Sequence, residues 1–245
     1  MKADSNQIES IYGRHVVETA LKVNYPIRRI LIANTNQSKY KQIEQLAMRK
    51  GIRVEKTHNL NQRFPQGTVH QGIVAEVDAF PYKSLEDILA TIKADQKSLV
   101  IVLDQITDPH NLGAIIRSAE SAGATAIVIP SSGGATVNAT VFKVSAATAF
   151  YQPIVLVNDL IQAINQLKEN GFTVYSTAMQ AEKSFSQIDY ARHSCLVIGN
   201  EETGIRKQIR NLSDVLIKIP IYGKSESLNA SVAAGICIYG IVERQ

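Results

Sequence analysis

The sequence of 245 residues has no tryptophan, few other aromatics (6%), two cysteines and five histidines. Two cysteines, Cys195 and Cys237, each inside an apolar run, do not make a disulfide scaffold. They read as reduced core residues. No Cys/His cluster has metal-ligand spacing, so a zinc site is excluded. Long hydrophobic runs are also missing. The longest, Leu228 to Val242, falls short of the roughly 18 residues that span a bilayer. The N-terminal MKADSNQIES lacks the apolar core of a secretory signal. Nucleotide fingerprints are absent: there is no G-x-G-x-x-G after the first strand of the sheet, no G-x-x-x-x-G-K-[ST] and no G-x-S-x-G elbow. What remains is a cytoplasmic α/β protein, 45% hydrophobic and 20% charged, long enough for one large or two modest domains.

Charge is unevenly placed. Residues 1–82 carry 12 Lys/Arg against 7 Asp/Glu, and residues 83–245 carry 14 against 15. A basic first third suits a polyanion partner, and it equally suits an ordinary solvated surface. That third reads as a small α/β unit. Helical patterns cover Gly13–Val23 and Lys39–Lys50. Strand-like runs cover Arg28–Ala33, Ile52–Glu55 and Gly72–Val77. The polar stretch Asn59–Gln71 between them reads as a loop or a ligand-facing surface. A linker follows, then a short helix capped by Ser84. From Ser98 onward, apolar runs at 99–104, 126–130, 153–157, 172–178, 195–200 and 215–220 alternate with helices. Continuous Val/Ile/Leu strands separated by helices predict a parallel sheet buried on both faces.

Ligands of such sheets bind at the carboxyl ends of strands. Three polar loops follow strands there. The first contains Asp104, Asp108, Pro109, Asn111, Gly113 and Arg117, with Asn111 read as the helix N-cap and Arg117 nearly two turns further on. The second is Gly199-Asn200-Glu201-Glu202-Thr203-Gly204. The third, Ser225-Glu226-Ser227-Leu228-Asn229, opens a final helix. That helix has no charge from Val232 to Val242 and is expected to be buried on nearly all sides. Its small residues suit tight core packing or a subunit interface. Taken singly, each loop also reads as plain turn or helix-start structure.

Together the three segments resemble the signature of the SpoU/TrmH family of RNA ribose 2'-O-methyltransferases. N-x-G-x-x-x-R is matched by Asn111, Gly113 and Arg117. G-x-E-x-x-G is matched by Gly199, Glu201 and Gly204. I-P-x-x-G…S-L-N-x-S-x-A is matched by Ile219, Pro220, Gly223, Ser227, Leu228, Asn229, Ser231 and Ala233. Residues 11–21 and 70–77 resemble the ribosomal-protein-L30e-like substrate-binding domain of bacterial 23S rRNA guanosine 2'-O-methyltransferases.

The resemblance implies three segments: an L30e-like RNA-binding domain over 1–78, a linker and lead-in helix over 79–97, and a catalytic domain over 98–245. The catalytic domain is implied to be a Rossmann-like parallel sheet with a C-terminal deep trefoil knot. S-adenosylmethionine is the implied methyl donor, with no metal, and the implied assembly is a homodimer through the catalytic domain. The implied catalytic set is Arg117, Asn111, Glu201, Ser227 and Asn229. Cofactor binding falls to Thr177, Ala178, Gly199, Asn200, Gly204, Ile219, Pro220, Ile221, Leu228 and Asn229. RNA contacts are expected from Arg14, His15, Arg28, Arg29, Arg63 and His70. The alternatives are the same chemistry on tRNA or another rRNA nucleotide, and a non-catalytic RNA-binding assembly factor.

Overall fold

Two stretches of sequence with different apolar patterns fold as two compact units, described here from a computed structural model covering residues 8–34, 39–63 and 69–245. Unit 1 comprises the chain to Pro81 together with Val137–Phe150; unit 2 comprises Tyr82–Thr136 and Tyr151–Gln245.

In unit 1, β1 (Ile8–Tyr12), α1 (Arg14–Lys22), β2 (Ile27–Ala33), α2 (Lys41–Arg49), β3 (Arg53–Thr57) and β4 (Ile73–Asp78) follow in order. The four strands form a mixed sheet in the order β1-β4-β2-β3. Its central strands β2 and β4 are antiparallel and pair Ile30 with Ala75 and Leu31 with Val74. The predicted helices and strands fall within a residue or two of these limits. β1 was not anticipated; it is an edge strand, and only Ile11 in it is fully buried.

Unit 2 runs α3 (Leu85–Thr91), β5 (Ser98–Leu103), α4 (Pro109–Ser121) and β6 (Ala126–Pro130). After α5 (Ala139–Val144) it continues with β7 (Ile154–Val157), α6 (Leu160–Glu169), β8 (Thr173–Thr177) and β9 (Lys183–Ser184). It ends with β10 (His193–Ile198), α7 (Lys207–Arg210), β11 (Val215–Lys218) and α8 (Ala230–Val242). Seven strands form one sheet in the order β7-β6-β5-β10-β8-β11-β9, and every neighbouring pair is parallel. Every residue of β5 and β6 is buried, as their unbroken apolar runs require. Ser84 caps α3, accepting from the Asp87 amide at 3.1 Å. Cys195 and Cys237 are free and buried, and burial raises both thiols to about 12.

Two expectations need correction, at helices α4 and α8. The segment around α5 groups by its contacts with unit 1. Its Phe142 lies within 6.1 Å of Tyr25, Phe80 and Phe150, and this aromatic cluster holds the segment there. Helix α4 begins at Pro109 and is capped by Asp108, whose carboxylate accepts from the His110 amide at 2.8 Å. Asn111 is therefore in the first turn, and its side chain is free for another partner. Helix α8 is not buried all round, since Val232 is 50% and Tyr239 45% exposed. Its opposite face packs closely, and a Cβ on Gly240 would collide with the Phe185 ring.

Candidate active site

The chain leaves β5 for β6 and β7 on one side of the sheet and returns to β8 on the other. Such a reversal opens a crevice at the carboxyl edge. A cavity of about 250 Å³ lies at the carboxyl ends of β8, β10 and β11. Of the residues expected to hold a cofactor, Thr177, Ala178, Gly199, Asn200, Gly204, Ile219, Ile221 and Leu228 line it. Pro220 and Asn229 do not. Sequence reasoning passed over Glu202, Arg210 and Lys218, which also line it. Glu202 follows β10, Arg210 ends α7 and Lys218 ends β11, so no shared local pattern marks them.

The loop after β10 is shaped by local chemistry. A Cβ on Gly199 would collide with the backbone of Gly204 and Ile205. Gly204 takes a left-handed φ of +70°. Asn200 and Gly204 exchange backbone hydrogen bonds at 2.9 and 3.1 Å. The Asn200 side chain accepts from the amides of Glu202 and Thr203 at 2.9 and 3.3 Å, an Asx turn. The second motif thus presents backbone and carboxylates to the cavity.

The three motifs meet at the start of α8. Asn229 Nδ2 donates to Asn111 Oδ1 at 2.9 Å and to Glu201 Oε2 at 3.1 Å. Glu201 Oε2 also accepts from the Ala230 amide at 3.3 Å, placing a carboxylate at the positive end of α8. Asn229 Oδ1 caps the helix, accepting from the Ser231 amide at 3.0 Å and its hydroxyl at 2.6 Å. Residues 118 positions apart in sequence are thereby joined in one network. Ser227 lines the adjoining cavity.

Arg117 does not join them. It is exposed on α4, away from the cavity lining, with no hydrogen bond or ion pair among the described residues. A guanidinium left in this way is available to an anion.

The candidate RNA-binding residues of unit 1 divide. Arg14 and His15 are exposed and share an open hollow with Lys39 and Gln71. His15 Nε2 lies 3.1 Å from the Ala146 carbonyl. Arg28 is paired with Asp78 at 2.6 Å. Arg29 forks onto Glu76 at 2.7 Å on both sides and reaches Glu55 at 3.3 Å. His70 is 8% exposed and accepts from the Gly72 amide at 3.0 Å through Nδ1. Burial and internal pairing set these last three apart from an exposed contact surface. The Arg63 side chain lies outside the described residues, as do Pro65 and Gly67 of the same loop.

Fold and site define a class: an α/β protein with a ligand cavity among glycine-bearing loops at the carboxyl edge of a parallel sheet. Comparison with known proteins narrows this. The profile of the SpoU rRNA Methylase family matches residues 98–239, and that of RNA 2'-O ribose methyltransferase substrate binding matches 10–83. The chain belongs to the SpoU rRNA methylase family. It is 38% identical over 245 residues to the 23S rRNA (guanosine-2'-O-)-methyltransferase RlmB of Xanthomonas campestris, covering 98% of each chain. It is 33% identical to the putative TrmH family tRNA/rRNA methyltransferase YacO of Bacillus subtilis, again over 98% of each. Among solved structures, the SpoU methyltransferase AviRb of Streptomyces viridochromogenes with AdoMet superimposes with a TM-score of 0.81. It is 23% identical, and the match covers 96% of this chain and 90% of that one.

Proposed function

We propose that this chain transfers a methyl group from S-adenosylmethionine to the ribose 2'-hydroxyl of a guanosine in 23S rRNA. The observation that carries the reading is the Asn111–Glu201–Asn229 network beside the cavity, which joins all three motifs. Relatives covered end to end and named for this reaction support the substrate.

The cavity suits the methyl donor. Ile217, Ile219 and Leu228 offer apolar walls, and the Gly199–Gly204 loop offers backbone groups at a spot where a Cβ has no room. Glu201 and Glu202 oppose the donor's positive sulfonium and ammonium, and Arg210 and Lys218 suit its carboxylate. When bound, the donor supplies an electrophilic methyl on sulfur. The protein's task is then to align a poorly acidic hydroxyl. Arg117 binds the RNA phosphate next to the target and orients the 2'-hydroxyl. The hydroxyl proton passes to that phosphate, or to Arg117 once its guanidinium has itself given up a proton, since the cation has no lone pair to accept one. Ser227 and Asn229 hold the ribose, and Glu201 and Asn111 hold Asn229.

We further infer a homodimer through unit 2, with the partner's Arg117 completing each site. Support comes from the distance of Arg117 from the cavity lining and from the exposed apolar face at Val232 and Tyr239. The C-terminal segment is read as a trefoil knot on the strength of the SpoU family match, with which the packing of α8 on α4 is compatible. Unit 1 is read as an L30e-like substrate-binding domain, supported by its matching profile. The cytoplasm suits the buried free thiols.

The test incubates purified protein and radiolabelled-methyl S-adenosylmethionine with 23S rRNA, 16S rRNA and bulk tRNA lacking native 2'-O-methyls. Alkali-resistant labelled dinucleotides from a 23S guanosine are expected, and their loss in R117A. Label confined to tRNA overturns the substrate. Absence of both cofactor binding and label favours a non-catalytic RNA-binding factor.

A further inference from the structure

Asp104 directly follows β5 and is 0% exposed, a carboxylate immediately after a run of buried apolar residues. Both of its oxygens are engaged by one residue. Oδ1 accepts from Arg206 Nε at 2.8 Å and Oδ2 from the Arg206 amide at 2.9 Å. The Asp104 amide itself donates to Ile198 at the end of β10, at 2.8 Å. The next residue, Gln105, holds a left-handed φ of +60°, and its carbonyl accepts from Asn200 Nδ2 at 3.2 Å. Residues 104 and 105 therefore grip both ends of the 200–206 loop. Between those ends lie Glu201, Gly204 and the other loop residues that line the cavity. Three residues beyond Gln105 stands Asp108, the cap of α4, which carries Asn111.

Burying a carboxylate is costly, and an apolar pair of similar volume often stabilises a fold as well or better. One charge-assisted bond from the guanidinium Nε and one bond from the backbone amide, on the two oxygens of a single carboxylate, fix an angle as well as a contact. We propose that Asp104 and Arg206 are positioning residues that clamp the 199–206 loop onto the β5–α4 turn, holding the cofactor cavity open and keeping Glu201 in register with Asn111 and Asn229. This deepens the function proposed above and rests on that reading of the cavity.

The experiment compares the full chain with R206A, R206K, D104N and K207A. Lys207 is exposed and adjacent, so K207A removes the same charge without touching Asp104. Two quantities are measured: S-adenosylmethionine affinity by calorimetry, and amide hydrogen exchange of residues 199–206 in the protein alone. R206A is expected to raise the cofactor Kd at least tenfold and to speed exchange in that loop, leaving β5 and β10 protected. R206K is expected to fall between, because lysine keeps the charge and loses the planar Nε–H donor, while the backbone bond to Asp104 survives in both variants. K207A is expected to stay within twofold of the parent in both. The Arg206 side chain is half-exposed, so R206A carries the test even where D104N fails to fold. Loop exchange or Kd unchanged in R206A overturns the clamp. So does an equal effect of K207A, or exchange that rises evenly across the sheet. The parent's own affinity for S-adenosylmethionine tests the proposed function, whereas loop exchange reads the clamp without any cofactor.

Discussion

Arg29 in unit 1 and Arg206 in unit 2 each hold carboxylate, on very different terms. Arg29 lies on a solvent-facing side of the four-stranded sheet, tying Glu76 of β4 and Glu55 of β3 across β2. Its hydrogen bonds to Glu76, and the charges there, raise the guanidinium further above its ordinary range. Water and salt screen such a pair, and lysine or a solvent shell can replace either member. Arg206 meets a carboxylate with no solvent at all. Unit 1 thus engages several of its cations in cross-strand and i,i+4 pairs such as Lys22–Glu18. Unit 2 is nearly neutral, yet it places its few charges where geometry decides chemistry. Net charge by region is therefore a poor guide to which cations remain available: Arg28 and Arg29 are engaged, whereas Arg117, in the neutral region, is not.

The largest test of this contrast is Arg117. R117A is expected to lower kcat about 10²–10³-fold, the loss typical of removing one preorganised charge partner of a reacting centre. Cofactor affinity should stay unchanged, because Arg117 is off the cavity lining. Steady-state methyl transfer and calorimetry check both halves. Next is G199A. The added Cβ meets backbone at Gly204 and Ile205, which cannot swing aside. Destabilisation of about 1–3 kcal/mol is expected in chemical unfolding, together with loss of cofactor binding. N229A removes the α8 cap, a loss of about 1 kcal/mol in stability. It also severs Asn111 from Glu201, so turnover should fall more than stability does.

The parallel sheet was legible because runs such as Leu99–Leu103 and Ala126–Ile129 are apolar throughout, a pattern only a doubly covered strand requires. The edge strand β1, IESIY, alternates weakly, and the two-residue β9 is too short to carry a pattern. Asp108 and Asn111 are equally good caps, so local preference could not choose between them; Pro109, which suits the first helical position, favours Asp108. The placement of Val137–Phe150 with unit 1 depends on rings from distant stretches, and local periodicity is blind to it. The motif residues Asn111, Glu201 and Asn229 could be named from the resemblance of the three motifs to the family. That they touch, and that Asp104 and Arg206 pair across 102 positions, follows only from the folded topology.

Charge reversal in unit 1 sharpens the comparison from the other side. R14E is expected to weaken RNA binding and to reduce the salt slope by about one, as for the loss of a single phosphate contact. R28E and R29E should disturb the sheet by facing Asp78, Glu76 and Glu55 with like charge, lowering Tm with a smaller effect on RNA affinity. Filter binding at several salt concentrations alongside thermal melts separates the two outcomes. Equal losses of RNA affinity for all three would mean that pairing does not withdraw these cations from RNA.

The smallest effect expected is a pH dependence from His70. Burial holds its imidazole below the ordinary value of about 6.5. Its Nδ1 accepts from the Gly72 amide, so protonation there would also break a hydrogen bond. The unfolded chain takes up the proton more readily than the folded one. Stability from the neutral ring is thus complete above the unfolded value and is lost as pH falls from about 6.5 through the folded value. H70N keeps an acceptor near the position of Nδ1 and has no proton to gain. Melting curves of the whole protein between pH 7.5 and 5 should therefore fall more steeply for the parent than for H70N. Parallel curves would show that the buried ring contributes no pH-linked stability.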